Sequence, residues 1–503
     1  MTRRALILVV AAMAVTFSGC SSPGPAPSAG GSTPAVPDPI RWRGCPGHSG
    51  WQCGTLVVPL DYAHPGRSIS IAVDRHPATS PGRRVGALVV NPGGPGVSGV
   101  DFAYAAVDGL LDPVLVQDFD VVGFDPRGVG ASSPIECADG PTLDRINHLD
   151  PDPRTSAEEA ALIAGARELA ADCERHSGPL LPFVATIDVA RDMDALRQAL
   201  GDPKLTYLGF SYGTLLGATY ARLFPSRVRA LALDGALDPA LDEGTVSIDQ
   251  AVAFEHSLSD FLQQCAQTAC AFHADGAPTL RAAFDALMAH IAADPLPAAL
   301  GGRGGPSGAT SIGPGEALIA ILAELYEPAD RPALAAELAA AQRGDGSLMR
   351  ANFDAYVGRL PDGTYSNEEL ANVAINCVDQ QTPTVSQLEA LAATARRQAP
   401  YFGGPLAWAA ADCLSWPVPP VTESGALHAP GAPPILVVGS TGDPVTPLGW
   451  AASLATELGS GVLVTRHGDG HTGYPTSACV RRAVDAYLIT LTVPGPSEAD
   501  CAS

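Results

Sequence analysis

Apolar residues in this 503-residue chain gather into short unbroken runs, each stopping at a turn that carries glycine or proline. Ala87 to Val90 halts just before Asn-Pro-Gly-Gly-Pro-Gly, and Val121 to Phe124 halts at Asp-Pro-Arg-Gly. Leu205 to Gly209, the run ending at Asp234, Pro434 to Val438 and Val462 to Thr465 repeat the form. Runs of this length, apolar throughout and closed by turn residues, predict strands buried on both faces. Between them lie stretches with helical spacing. In Tyr212 to Phe224, for example, Leu215, Leu216, Thr219, Tyr220 and Leu223 recur along one side. Strands alternating with helices predict an α/β fold with a mainly parallel sheet flanked by helices. In such sheets ligands sit at the carboxyl ends of the strands.

The pattern changes from about Ala240 to Glu423. Stretches such as PTLRAAFDALMAHIAAD and RPALAAELAAAQRG have helical spacing and few strand signals. They predict a mostly helical cap, inserted late in the sheet. The folded chain then divides into a first core part, 40–239, the cap, 240–423, and a C-terminal core part, 424–503. Inside the cap, GGRGGPSGATSIGPG follows no strand and lacks the Gly-Lys-Ser/Thr ending of a phosphate loop, so it reads as a plain loop.

At the N-terminus, Arg3 and Arg4 precede an apolar run, Ala5 to Phe17, that is too short to span a bilayer. This predicts an export signal over 1–19. The run ends in Phe17-Ser18-Gly19-Cys20, which resembles a bacterial lipobox and makes Cys20 the expected lipidation site. The Pro-, Gly- and Ser-rich segment 20–39 has almost nothing to bury and reads as a tether. The expectation is an exported protein on the outer face of a bacterial cell membrane, touching it only through the lipid.

Composition narrows the partners. A formal net charge of −23 argues against nucleic acid, because phosphate binding needs a basic surface. Of 11 cysteines, all but Cys20 lie in the folded part, an even number in an exported chain, so disulfides are expected. Sequence does not choose among the many pairings that these cysteines permit; joining nearest neighbours gives Cys45 with Cys53, Cys137 with Cys173, Cys265 with Cys270, Cys377 with Cys413 and Cys479 with Cys501. Neither a metal site nor a cofactor motif has the required spacing.

The chemistry centres on Gly209-Phe210-Ser211-Tyr212-Gly213, which lies between a predicted strand and a predicted helix. This is the arrangement of a nucleophile elbow, in which flanking glycines let strand and helix pack while the serine hydroxyl points into the cleft. A serine hydroxyl needs a base and an orienting acid, which in this arrangement follow later in the chain. GSTGDPVTP after one strand offers Asp443, and RHGDGHTGY after the next offers His471. His467 abuts its strand and reads as a wall residue, and Asp234 reads as a carboxylate capping loop amides. The oxyanion of an acyl-transfer intermediate needs two backbone donors. They are expected from Tyr212, directly after the nucleophile, and from Gly94 in NPGGPG.

Together NPGGPG, GFDPRGVGASSP, GFSYGT, GSTGDPVTP and GDGHTGY stand in the order seen in exported bacterial tripeptidyl aminopeptidases. The chain resembles this family of α/β-hydrolases, itself related to proline iminopeptidases, over nearly its whole mature length. The resemblance implies the α/β-hydrolase fold, with Ser211 as nucleophile, Asp443 as acid and His471 as base. Pro92 stands where proline iminopeptidases usually carry histidine, a departure that weakens the transfer of strict proline specificity to this chain. Asp125 and Arg127 look like the family's structural turn.

The expected function is that of a serine exopeptidase releasing short peptides, tripeptides by the resemblance, from free N-termini. A prolyl aminopeptidase, a carboxylesterase or lipase on the same residues, and an inactive peptide-binding lipoprotein are the competing readings. An aminopeptidase must also hold a free α-ammonium group, most economically with a partly buried carboxylate. Asp379, in AINCVDQ, and Glu255 are the candidates for that task.

Overall fold

A computed structural model describes residues 38–299, 310–421 and 425–502. The export signal, Cys20, nearly all of the tether and most of the glycine-rich cap segment lie outside these residues.

Three strands precede the first apolar run: β1 (Arg43–Cys45), β2 (His48–Pro59) and β3 (Ser68–His76). They pair antiparallel with one another, and β3 pairs antiparallel with β5. Their sequences alternate instead of running apolar, because one face meets water. In β2, Leu56 and Val58 are 1% exposed while Val57 between them is 55% exposed. The predicted runs then become β4 (Gly86–Asn91), β5 (Phe119–Phe124), β6 (Leu205–Phe210) and β7 (Val228–Asp234). After the insertion come β10 (Ile435–Gly442), β11 (Gly461–Asp469) and a short edge strand, β12 (Asp500–Cys501). The sheet order is β1-β2-β3-β5-β4-β6-β7-β10-β11-β12, parallel from β5 onward. This is the α/β-hydrolase architecture, with an antiparallel margin that the apolar pattern does not mark.

Separate apolar clusters cover the two faces of the sheet, one including Tyr207, Leu216 and Val437 and the other Leu208, Ala232 and Val438. The insertion builds a core of its own from Phe254, Phe284, Ile321, Leu338 and Phe402, and it holds a two-stranded ribbon, β8 (Leu296–Ala298) with β9 (Thr310–Ile312). One insertion helix departs from this. Glu368–Asp379 buries Leu370, Ala374 and Ile375 with the sheet-face cluster, so it belongs by packing to the core.

Five disulfides join the cysteines in nearest-neighbour pairs, as expected from their spacing. Such a set is that of a chain matured under oxidising conditions. Among the described residues, no helix is long and apolar enough to cross a membrane.

Asp125 and Arg127 sit at the turn after β5. Asp125 accepts from Ser98 Oγ and from the Val100 and Ala131 amides. Arg127 is wholly buried, donates to both Asp192 oxygens at 2.7 Å, and also reaches the carbonyls of Pro59, Leu60 and Phe183. Removing one partner of such a pair leaves an uncompensated buried charge. Arg127→Met is therefore expected to cost about 3–5 kcal/mol in chemical denaturation, while Arg127→Met with Asp192→Leu recovers much of that loss.

Candidate active site

Five neighbouring strands of the sheet deliver the expected residues to one edge. β4 ends in the loop carrying Gly94, β6 in Ser211, β7 in Asp234, β10 just before Asp443 and β11 just before His471. The sequence scatters these positions over nearly 400 residues, and parallel pairing lines them up.

Ser211 is the half-buried residue between β6 and the helix Tyr212–Leu223, with φ 52° and ψ −126°. Its amide continues the sheet ladder by donating to the Asp234 carbonyl at 2.9 Å, and its carbonyl accepts from Thr214 N and Oγ1. Gly93 lies directly on this turn. A methyl group built on it would meet Phe210 O at 2.6 Å and Tyr212 N at 2.9 Å. The loop is held there by Asn91, whose Oδ1 accepts from Gly93 N at 3.0 Å. The amides of Gly94 and Tyr212 donate to no acceptor among the described residues, and Gly94 is exposed.

Asp443 and His471 form a buried pair, with His471 Nδ1 at 2.9 Å from Asp443 Oδ2 and 3.0 Å from Oδ1. Asp443 also accepts from the Val445 and Thr446 amides and from Thr446 Oγ1, each at 2.9 Å. Burial opposes its charge, but the His471 ring and these donors hold its pKa below the usual carboxylate range. For His471, burial likewise opposes the charged form, and the Asp443 carboxylate, with Asp234 and Glu327 beyond it, outweighs burial and raises the pKa. His471 Nε2 is buried and has no partner among the described residues. With Nδ1 held on Asp443, Nε2 is the ring atom left for a reacting hydroxyl. A methyl group on Gly235, just beyond β7, would lie 2.9 Å from His471 Cε1, so the imidazole packs against the end of the strand that supports Ser211.

The competing residues have other duties. Asp234 is fully buried and accepts from the Gly473 and Tyr474 amides, which fixes the loop after His471. His467 lies on the exposed edge, 2.6 Å from Asp500.

Asp379 and Glu255 are already engaged inside the protein. Asp379 caps the start of a core helix, Thr186–Ala199, accepting from Thr186 N at 2.9 Å and Thr186 Oγ1 at 2.5 Å. Glu255 is 7% exposed, paired with Arg281 at 2.7 Å and bonded to the Tyr401 amide. A further acid, Glu327, lies against the loop that carries His471. A methyl group on Gly470 would lie 2.6 Å from its Oε2, and among the described residues its half-buried carboxylate has neither a hydrogen bond nor an ion pair. Burial raises its pKa to about 7, opposed by His471 and Arg466. Its neighbour Tyr326 accepts from His471 N through its carbonyl and sets its ring edge-on to the imidazole at 5.9 Å.

Thr446, Tyr326 and Glu327 are absent from the sequence reading. Thr446 was findable, since a threonine three residues after an aspartate is placed to bond it. Tyr326 and Glu327 follow a cap helix, and no local pattern tells that they fold back over His471.

Gly93→Ala is expected to force the 92–96 loop off the elbow, because a methyl group there would meet Phe210 O and Tyr212 N of the backbone as well as Ser211 Cβ, and the φ of +100° is itself strained for alanine. Fluorophosphonate labelling of Ser211 should slow by about 100-fold, the scale of losing an oxyanion donor, and labelling kinetics beside thermal denaturation would measure it.

A family described as alpha/beta hydrolase fold matches residues 86–275, and one described as TAP-like protein matches 399–501. The chain is 37% identical to the serine protease Hip1 of Mycobacterium tuberculosis, over 93% of this chain and 92% of that one. It is 34% identical to a tripeptidyl aminopeptidase of Streptomyces lividans, over 90% and 84%. It is 38% identical to carboxylesterase B of M. tuberculosis, over 90% and 86%. Identity at this level along nearly the whole length, on an α/β-hydrolase sheet with a serine elbow, means that this chain belongs to the TAP-like family of serine α/β-hydrolases.

Proposed function

We propose that the protein is an exported serine exopeptidase that releases short peptides from free N-termini, with tripeptides as the preferred unit. Ser211 is the nucleophile, His471 the general base and Asp443 the acid that fixes the imidazole tautomer. His471 Nε2 takes the Ser211 proton as the hydroxyl attacks the scissile carbonyl. The Gly94 and Tyr212 amides receive the oxyanion of the tetrahedral intermediate. His471 then protonates the leaving amine, and water releases the acyl group by the same route. Export and lipid attachment at Cys20 complete this reading at the N-terminus.

The Glu327 carboxylate carries the choice of peptides over esters. It is half-buried, without a hydrogen bond or ion pair among the described residues, and packed against Gly470, the residue before His471. A free α-ammonium group supplies the charge and donors that such an acid lacks, whereas an ester substrate gains nothing from it. Asp379 and Glu255, the acids suggested by sequence, have their oxygens committed to Thr186 and to Arg281 with Tyr401.

The test compares Ala-Pro-Ala-p-nitroanilide with its N-acetylated form, with Ala- and Pro-p-nitroanilide and with a p-nitrophenyl ester, using Ser211→Ala as control. Serine-dependent preference for the free tripeptide is expected. Preference for the ester, or indifference to acetylation, would assign the protein to the esterases instead. Glu327→Gln should raise KM for the free tripeptide about 10- to 100-fold, the scale of a lost charge-assisted hydrogen bond, and leave the acetylated substrate unchanged.

The pH dependence follows from the raised His471 pKa. The base must be neutral, so activity is present above the folded-state pKa and is lost as pH falls through it, at a pH higher than an ordinary histidine would give. Glu327→Gln removes one of the negative charges that favour the imidazolium, so the acid limb of ester hydrolysis should move to lower pH. A limb that stays in place or moves upward would contradict the geometry.

A further inference from the structure

The helix Glu368–Asp379 belongs to the inserted segment by sequence, yet it bonds to three separate loops of the core. At its start, Asn367 accepts from Gly130 N at 3.0 Å and donates to Gly128 O at 2.7 Å. At its end, Asp379 holds Thr186, whose Oγ1 lies 2.5 Å from the Tyr212 hydroxyl. Between them, Asn372 Nδ2 donates to the Pro95 carbonyl at 2.9 Å, and Asn372 Oδ1 accepts from Asn376 Nδ2 at 2.8 Å. The loop and helix also touch through backbone, since a methyl group on Gly96 would lie 2.3 Å from Glu368 O and 3.0 Å from Asn372 N.

These contacts reach both sides of the expected oxyanion site. Gly94 precedes Pro95 directly, so the carbonyl held by Asn372 lies one residue beyond the Gly94 amide. Tyr212, whose amide is the other donor, has its ring end tied through Thr186 to Asp379. On the elbow side the loop has Asn91 to fix Gly93. Among the described residues, Asn372 is the side chain that bonds its far half. A loop rich in glycine has little stiffness of its own, and an oxyanion donor works only if its direction is set before the charge develops. Asn376 fixes the amide orientation of Asn372, presenting Nδ2 to Pro95 while Oδ1 faces the Asn376 donor.

We propose that Asn372, braced by Asn376, is a positioning residue that holds the 93–96 loop in register with the Ser211 elbow and so aims the Gly94 amide at the oxyanion. The inference rests on the serine-hydrolase reading and deepens it: a helix inside the inserted segment, not only the core, completes the catalytic geometry. Asn372 touches neither substrate nor the reacting atoms and acts through the loop.

The test uses the full chain with Asn372→Ala, the isosteric Asn372→Asp, and Asn376→Ala, on a p-nitrophenyl ester and on Ala-Pro-Ala-p-nitroanilide. For Asn372→Ala, kcat should fall about tenfold on both substrates, less than the 10²–10³ lost with a donor itself, while KM stays within about twofold. Asn372→Asp, which keeps the size but turns a carboxylate oxygen toward Pro95 O, should lose at least as much. Asn376→Ala, which leaves the Pro95 bond in place, should lose less, in the same direction. A peptidyl trifluoromethyl ketone, which forms a tetrahedral adduct, should bind more weakly by the factor lost in kcat, and the tripeptide product should bind unchanged. A purely structural role would lower the melting temperature without dividing kcat from KM or the ketone from the product. Wild-type kcat in a folded Asn372→Ala, or equal weakening of ketone and product, overturns the inference and leaves the hydrolase reading intact. If Asn372→Ala does not fold, Asn376→Ala carries the same ketone-against-product comparison. Absence of Ser211-dependent hydrolysis in the wild-type chain overturns both.

Discussion

Ser211 holds a backbone conformation, φ 52° and ψ −126°, that an L-residue adopts only when its surroundings over-determine it. The reward is geometric. Strand β6 ends at Phe210 and the next helix begins at Tyr212, so Ser211 is the one residue in which the chain reverses. The surrounding structure absorbs the strain. The Ser211 amide is bonded into the neighbouring strand, Gly93 packs on the turn, and the Tyr207 hydroxyl donates to the Gly213 carbonyl from beneath. Larger side chains at Gly93, Gly209 or Gly213 would meet these atoms. The spacing of glycines around the serine is thus a steric requirement of the turn.

Around the single buried imidazole the protein sets three carboxylates in different environments. Asp443 receives several donors, and these with the His471 ring hold its pKa below the usual carboxylate range against the effect of burial. Asp234 spends its oxygens on loop amides, and burial raises its pKa to about 6. Glu327 has neither kind of support and titrates near neutrality. The donors available to each acid set these differences: Asp443 is paired with the imidazole, Asp234 holds a loop, and the Glu327 carboxylate has no hydrogen bond among the described residues.

The insertion has two mechanical characters. Much of it is organised around an apolar core of its own and contributes Tyr326 and Glu327 above the histidine. The Glu368–Asp379 helix instead joins the sheet-face cluster and is bound to a second segment by Cys377–Cys413. Its Asp379, which sequence suggested as a reader of substrate, fixes Thr186 and through it the side chain of the residue after the serine. One part of the inserted chain therefore lies over His471, and another is bonded to the loops that flank Ser211.

The sequence by itself determined the main strands of the parallel sheet and the glycine-flanked turn at Ser211, because continuous apolar runs and glycine turns are local signals of burial and sharp reversal; that Asp443 and His471 form a buried pair is a product of the parallel strand order. The five cysteine pairs it left open among many, and folding joins nearest neighbours. The antiparallel strands β1 to β3 escaped it because their half-exposed faces leave no continuous run. Glu327, Tyr326 and Asn372 escaped it for a different reason. Each acts across a long loop closure, on Gly470, His471 and Pro95 respectively, and no pattern within a helix records which distant backbone will pack against it. Tertiary structure also decided the surroundings of each acid, since the donors a carboxylate meets are those that folding brings to it, and those of Asp379 and Glu255 come from segments far away in the chain.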